Sequence, residues 1–224
     1  MTITARIESF KSDIRQSKYS SEQIFQKHVI DGPAYFFENY FKDPSIENTT
    51  KSIIANAFSV HVRETIFVGS GKLGFSLKPG NVFNGFDTAF HLTKLNKDRS
   101  DLDVAIVSNN LFETLGKKMY NYTAAYKEKW KHNEYYDLEK MRQFSVPICY
   151  KYFEYHTKGW FRPDFKPQGF ECCTNGSYQN LKGDLYLRLK RKVGIAIYQN
   201  WFYFMDYHLS NIDDLKLKLN SVTI

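Results

Sequence analysis

Apolar residues along this chain follow two periods, and the change between them marks out the elements. Ile3, Ile7, Phe10 and Ile14 fall at helical spacing and predict an amphipathic helix over residues 2–16. Ser20 followed by Gln23 is a capping-box pattern that opens a second helix to about Val29, and Gly32-Pro33 breaks it. The aromatic run 34–41 reads as a short helix packed on the core. Asp43-Pro44-Ser45 is a helix start with proline in the first turn, and Ile46, Ile53, Ile54, Ala57 and Phe58 supply its apolar face. Then the pattern tightens. Thr65–Val68 and Leu102–Val107 are short apolar runs bounded by polar residues, which predict buried strands. Between them, 78–100 reads as a loop or inserted hairpin, long enough to serve as a lid or substrate-selecting element.

In the second half, helical spacing returns at Leu111, Phe112, Leu115, Met119 and Tyr122, with Asn109 or Asn110 as the cap. Residues 134–156 predict a further helix interrupted at Pro147, and 159–164 a turn rich in large rings. Asp184, Tyr186, Arg188 and Lys190 alternate with Leu185, Leu187 and Leu189, which predicts a strand over 184–191. The tail, 193–219, reads as one or two helices. The expected fold class is α+β: a small mixed β-sheet with helical flanks over 1–60 and 193–224, all in one domain spanning 1–224.

Composition narrows the class. The 224 residues carry a net charge of +7 and include 16 Tyr and 19 Phe, a balance that suits polyanionic partners such as nucleic acid or nucleotide. The stretch 117–132 interleaves lysines with rings, as single-strand binding surfaces do. An amphipathic helix with a solvated basic face is the preferred reading of it. Cys149, Cys172 and Cys173 have no metal-ligand spacing and no disulfide framework, which points to a reducing, cytoplasmic setting. No run of 18 apolar residues is present, so no membrane span is expected, and the first residues lack the apolar core of a signal peptide.

The candidate chemistry lies in 66–107. Asp101 and Asp103 open the second predicted strand, where a two-residue repeat turns both carboxylates to one face. Such a pair repels itself unless a cation sits between, and Mg²⁺ is the natural candidate. Gly69-Ser70 ends the first strand; glycine admits close backbone approach, and the hydroxyl with the following N–H groups offers an anion-binding concavity. It is not a Walker loop. Gly69, Gly71 and Gly74 match a dinucleotide fingerprint in spacing but lack the surrounding βαβ pattern.

Gly69-Ser70 after a strand, then Gly74, then Asp101-x-Asp103 opening a second strand, resembles the polymerase-β-like nucleotidyltransferase superfamily, in particular its minimal bacterial members. The resemblance covers roughly the middle fifth of the chain, and the connection from Ser70 to Asp101 is longer than in the shortest members. It implies a Mg²⁺- or Mn²⁺-dependent transfer of NMP from an NTP to an acceptor hydroxyl on RNA, another nucleotide or a protein. Gly69 and Ser70, with Lys72, would grip the nucleotide, and Asp101 and Asp103 would hold the metal. A third carboxylate on a later strand usually completes such sites. Asp184 is the candidate, as a third metal ligand and activator of the acceptor, with Arg188 and Lys190 beside it for phosphate; Glu171 is its rival. Small members of the superfamily sit in toxin-antitoxin and phage-defence systems, with protein partners among the implied associates. The alternative is a catalytically silent fold that binds nucleic acid or a partner.

Overall fold

The computed structural model describes residues 1–16, 18–130, 134–137 and 142–221. The helices are α1 (Ile3–Arg15), α2 (Ser21–Phe25), α3 (Pro44–Phe58), α4 (Gly69–Leu73), α5 (Thr88–Thr93), α6 (Asn109–Tyr122), α7 (Ile148–Thr157), α8 (Tyr178–Leu189) and α9 (Trp201–Ser221). The strands are β1 (Thr65–Val68), β2 (Leu102–Val107), β3 (Glu134–Asp137), β4 (Arg142–Pro147), β5 (Trp160–Phe161) and β6 (Val193–Tyr198). Four of them form a mixed sheet in the order β1-β2-β6-β5, and β3 and β4 pair as a separate two-stranded ladder. In the sheet β1 runs antiparallel to β2, β2 parallel to β6, and β6 antiparallel to β5.

The two-residue repeat of the strands divides the core in two. Phe67, Leu102, Val104, Ile106, Ile195, Ile197 and Phe161 face one side, with Ile54 and Phe58 of α3, Phe112 and Leu115 of α6, and Leu181 and Leu185 of α8. Ile66, Val68, Ala105, Val107, Tyr198 and Trp160 face the other, under Phe10 and Ile14 of α1, Phe25 of α2 and Phe204 and Ile212 of α9. No helix among the described residues is long and apolar enough to cross a membrane.

Two of the caps read from sequence are made, at Ser20 and Asp43; the third is not, since α6 opens at Asn109 with Ser108 as its N-cap and without a side-chain capping bond. Ser20 accepts a hydrogen bond from the Gln23 backbone N–H, and the Gln23 side chain returns to the Ser20 backbone. Asp43 accepts from the Ser45 N–H ahead of Pro44 in the first turn of α3. Past α2 the helix widens into a π-type turn over Gln26–Ile30, which brings Lys27 and His28 onto the buried Asp13 of α1 at 2.6 and 2.7 Å. Burial pushes the Asp13 pKa up, but the hydrogen bonds and charges of Lys27 and His28 outweigh it, and the net shift is downward. A carboxyl held below its unfolded value contributes stability above that value and loses it as pH falls through the folded pKa. Asp13→Asn is therefore expected to lower Tm at pH 6 and to narrow the gap to wild type at pH 3, as differential scanning fluorimetry at the two pH values would read.

Three expectations are corrected and a fourth is narrowed. Residues 178–189 form α8, not a strand. Tyr178, Leu181, Leu185 and Leu189 are buried at helical spacing, while Leu187, which completed the alternation, is 65% exposed. The tail does not begin as a helix: Val193–Tyr198 is β6, and α9 follows. The predicted helix over 134–156 is two strands followed by α7 alone, and the chain leaves the ladder at Pro147, which has no N–H to extend it. The insertion 78–100 holds α5 and a 3₁₀ turn, not a hairpin, with a single bridge between Phe75 and Gly85 at its start.

Candidate active site

Pairing of β1 with β2 aligns Val68 with Asp103, so the turn that follows β1 lies against the Asp103 carboxylate. Gly69 makes that turn at φ +67°, and a Cβ there would stand 2.7 Å from Asp103 Oδ2. Both the backbone conformation and the space require glycine. Gly69→Ala is expected to destabilise the chain by more than about 1 kcal/mol through this collision and the left-handed backbone, and to displace Asp103. Denaturant unfolding, with any nucleotide response of the variant as a second readout, measures it. Ser70, half-buried, stands in the first turn of α4.

These residues line a cleft of about 280 Å³ with Lys78, Arg162 and Gly194. Asp103 opens into the cleft yet is walled closely by protein. That desolvation raises its pKa, and the Asp101 charge adds to the rise against the opposing pull of Lys78 and Arg162. The far wall carries Tyr207, His208 and Asn211 of α9. His208 stacks on Phe25, burial holds its pKa down to about 4, and its Nε2 has no hydrogen-bond partner among the described residues. Asp101 sits just ahead of β2, exposed; it is not among the residues that line this cleft but borders the neighbouring cavity, close enough for its charge to act on Asp103.

The donor set fits a hard divalent cation. Both groups are carboxylates, hard oxygen donors, and the Asp101 charge acts to raise the Asp103 pKa, a repulsion that a cation between them would relieve.

Other expected site residues lie elsewhere. Asp184 is exposed on α8, whose buried residues pack in the core on the opposite face of the sheet from Asp103. It does not line the cleft, and the third-carboxylate assignment fails with the strand on which it rested. Arg188 is likewise exposed on α8 and outside the cleft, and Lys190, its C-cap, lines a second cavity. Glu171 is no substitute. Its Oε1 accepts the backbone N–H groups of Cys173 and Tyr178 at 2.8 and 3.0 Å, fixing the turn into α8. Glu171, Cys172 and Cys173 bring ligand atoms within 4.8 Å of one another; the hydrogen bond with Cys173 and burial raise the Cys172 pKa. Lys72 is buried and donates to the Gly32 carbonyl, away from the cleft, with its pKa brought down to about 8 by burial.

The strand that does run beside Asp103 is β6. Its residues Gly194 and Ala196 pair with Asp103 and Ala105 and share the cleft face. A Cβ on Gly194 would stand 3.4 Å from Asp103 Oδ1, so this is where a third carboxylate would reach the pair, and glycine holds the position. Lys78, Arg162, Gly194 and the α9 residues carried no motif in the sequence; only the tertiary fold brings them to the cleft. Of the basic stretch 117–132, residues 131 and 132 lie outside the described residues and the helix ends at Tyr122; Tyr122, Tyr126 and Trp130 pack against the core, while Lys117, Lys118, Lys127 and Lys129 are exposed. His156 stacks on Phe112 at 4.7 Å and is held neutral by burial, a packing role.

Comparison with protein-family models, curated proteins and solved structures finds no match to this chain.

Proposed function

We propose that the cleft binds a nucleoside triphosphate with Mg²⁺ and transfers its nucleotidyl group to an acceptor hydroxyl, with pyrophosphate leaving. The observation that carries this reading is the contact between the Gly69 turn and the Asp103 carboxylate across the β1–β2 pair. It sets a close-approach backbone against the Asp103 carboxylate, with the Ser70 hydroxyl on the same cleft. Asp101 and Asp103 would hold the metal, which when bound offsets charge developing on the transferred phosphoryl oxygens. Gly69 keeps the approach to Asp103 open, Ser70 offers its hydroxyl to a phosphate oxygen, and Lys78 and Arg162 balance the negative charge of the phosphates.

Gly194 and Ala196 favour a second reading, in which the cleft binds the nucleotide without transferring it. No third carboxylate stands beside the pair, among the described residues, to take the acceptor proton. Thermal shift with each of ATP, GTP, CTP and UTP, with and without Mg²⁺, tests what the readings share. Mg²⁺-dependent stabilisation that is lost in Asp101→Ala/Asp103→Ala supports both, and its absence with all four nucleotides removes both. Transfer of label from the α-phosphate to RNA, nucleotide or protein then separates them: labelled acceptor supports transfer, and binding without labelled acceptor supports the silent site.

A further inference from the structure

We propose that a second cavity, beside Asp101, docks the phosphates of a single-stranded nucleic-acid acceptor; this rests on the reading of nucleotidyl transfer at the first cleft. The cavity, about 280 Å³, is lined by Lys97, Arg99, Asp101, Tyr186, Lys190 and Lys192. Four cations face one carboxylate there. Arg191 also borders it, but its charge is taken by the buried Asp87 at 2.6 Å. Lys97, Lys190 and Lys192 are exposed and form no ion pair among the described residues. Arg99 is held in place over the Phe90 ring at 4.4 Å, and its Nε is buried without a hydrogen-bond partner among the described residues.

The cations come from two separate segments. Lys97 and Arg99 lie at the end of the insertion, while Lys190 and Lys192 lie between α8 and β6. The fold converges both on the start of β2. The two cavities have no lining residue in common, and the carboxylate pair stands between them, Asp103 in the first and Asp101 in the second. A nucleotide in the first and a phosphate-bearing acceptor in the second would meet at that pair. Tyr186, 51% exposed at the rim, offers a ring face for a base, which favours a single strand over a compact anion. Three exposed lysines with no ion pair among the described residues suit a polyanionic strand better than a single neutral hydroxyl.

Fluorescence anisotropy of a labelled 12-nucleotide RNA, and of the DNA of the same sequence, tests this on the full chain. The variant is Lys97→Glu/Lys192→Glu, with Lys97→Gln/Lys192→Gln as the neutral counterpart. Charge reversal is expected to weaken binding by about tenfold or more and to flatten the dependence of log affinity on log salt by roughly 1 to 1.5, with a smaller loss in the neutral pair. Thermal stabilisation by a mixture of the four Mg²⁺–NTPs, measured on the same samples, is expected to persist. The melting temperature without ligand checks the fold of each variant. Equal oligonucleotide binding by variant and wild type, or none by wild type at low salt, overturns the proposal. So does joint loss of oligonucleotide and nucleotide binding, which would assign the cavity to the triphosphate. Oligonucleotide binding through these lysines in a chain that ignores NTPs would keep the docking site and remove the transfer reading.

Discussion

Asp87→Ala is expected to lower the stability of this chain by about 3–5 kcal/mol, the cost of leaving a buried cation without its partner. Arg191 and Asp87 pair at 2.6 Å with their side chains 3% and 0% exposed. Asp87 also accepts from the Tyr40 hydroxyl at 2.6 Å and from the Ser100 N–H at 2.8 Å, and its own N–H donates to the Ser100 hydroxyl. The Arg191 guanidinium lies over Phe36, Tyr40 and Phe86. One carboxylate thus ties the insertion to the π-type turn over Phe37–Phe41 and to the start of β6. For a chain of this size the loss corresponds to a fall in Tm on the order of 10 °C. Asp87→Leu combined with Arg191→Met should cost less than either single change, because no charge is then stranded. A double-mutant cycle by denaturant unfolding decides this, and additive losses would disprove the coupling. The same network gives a pH signature. Burial and the hydrogen bond to Asp87 push Tyr40 up to about 12. A group with a raised folded pKa contributes stability that is complete below its unfolded value, about 10, and is lost as pH climbs toward 12. Tyr40→Phe should flatten that alkaline decline.

The second large effect is on activity. If the first cleft transfers nucleotides, Asp103→Asn is expected to reduce transfer by roughly a thousandfold or more, since it removes an anionic ligand from the centre where charge develops. The same substitution is expected to stabilise the metal-free chain. Asp103 is exposed to the cleft, but the protein packed around its carboxyl raises its pKa, with Asp101 adding to the rise against Lys78 and Arg162. A carboxyl with a raised folded pKa is better tolerated protonated, so its contribution to stability falls as pH rises through that value. Removing the charge removes this loss at pH 7. A higher Tm without ligand, together with the loss of any Mg²⁺–nucleotide response, would mark Asp103 as a residue kept for function at a cost in stability. A lower Tm and an unchanged nucleotide response would contradict the assignment.

The sequence made β1 and β2 legible because each is a short apolar run with sharp polar or glycine boundaries, and the caps at Ser20 and Asp43 carry their own local chemistry. Failure came where two periods fit the same letters. From Tyr178 to Leu189, leucines at 185, 187 and 189 satisfy strand alternation, while Tyr178, Leu181, Leu185 and Leu189 satisfy a helix; only the exposure of Leu187 decides between them. The run Val193–Tyr198 is fully apolar but for its glycine, and such a run does not reveal by periodicity whether it is strand or helix. Missing β6 moved the expected third carboxylate onto the wrong element. In the candidate site, Gly69, Ser70, Asp101 and Asp103 were visible because two strands present them in fixed order. Lys78 and Arg162 were not, since a lone cation in a loop carries no signal until the fold aims it.

Residues 193–198 supply the second-to-last strand of the sheet order yet the last to be synthesised, and β2 pairs with β6 along its whole length. During translation, β1 and β2 therefore emerge with one β2 edge open until β6 leaves the ribosome. At about 5–20 residues per second the wait lasts several seconds, a long exposure for an apolar strand edge. Fragments ending before β6 are therefore expected to aggregate under conditions in which the whole chain does not, as light scattering of the two would read.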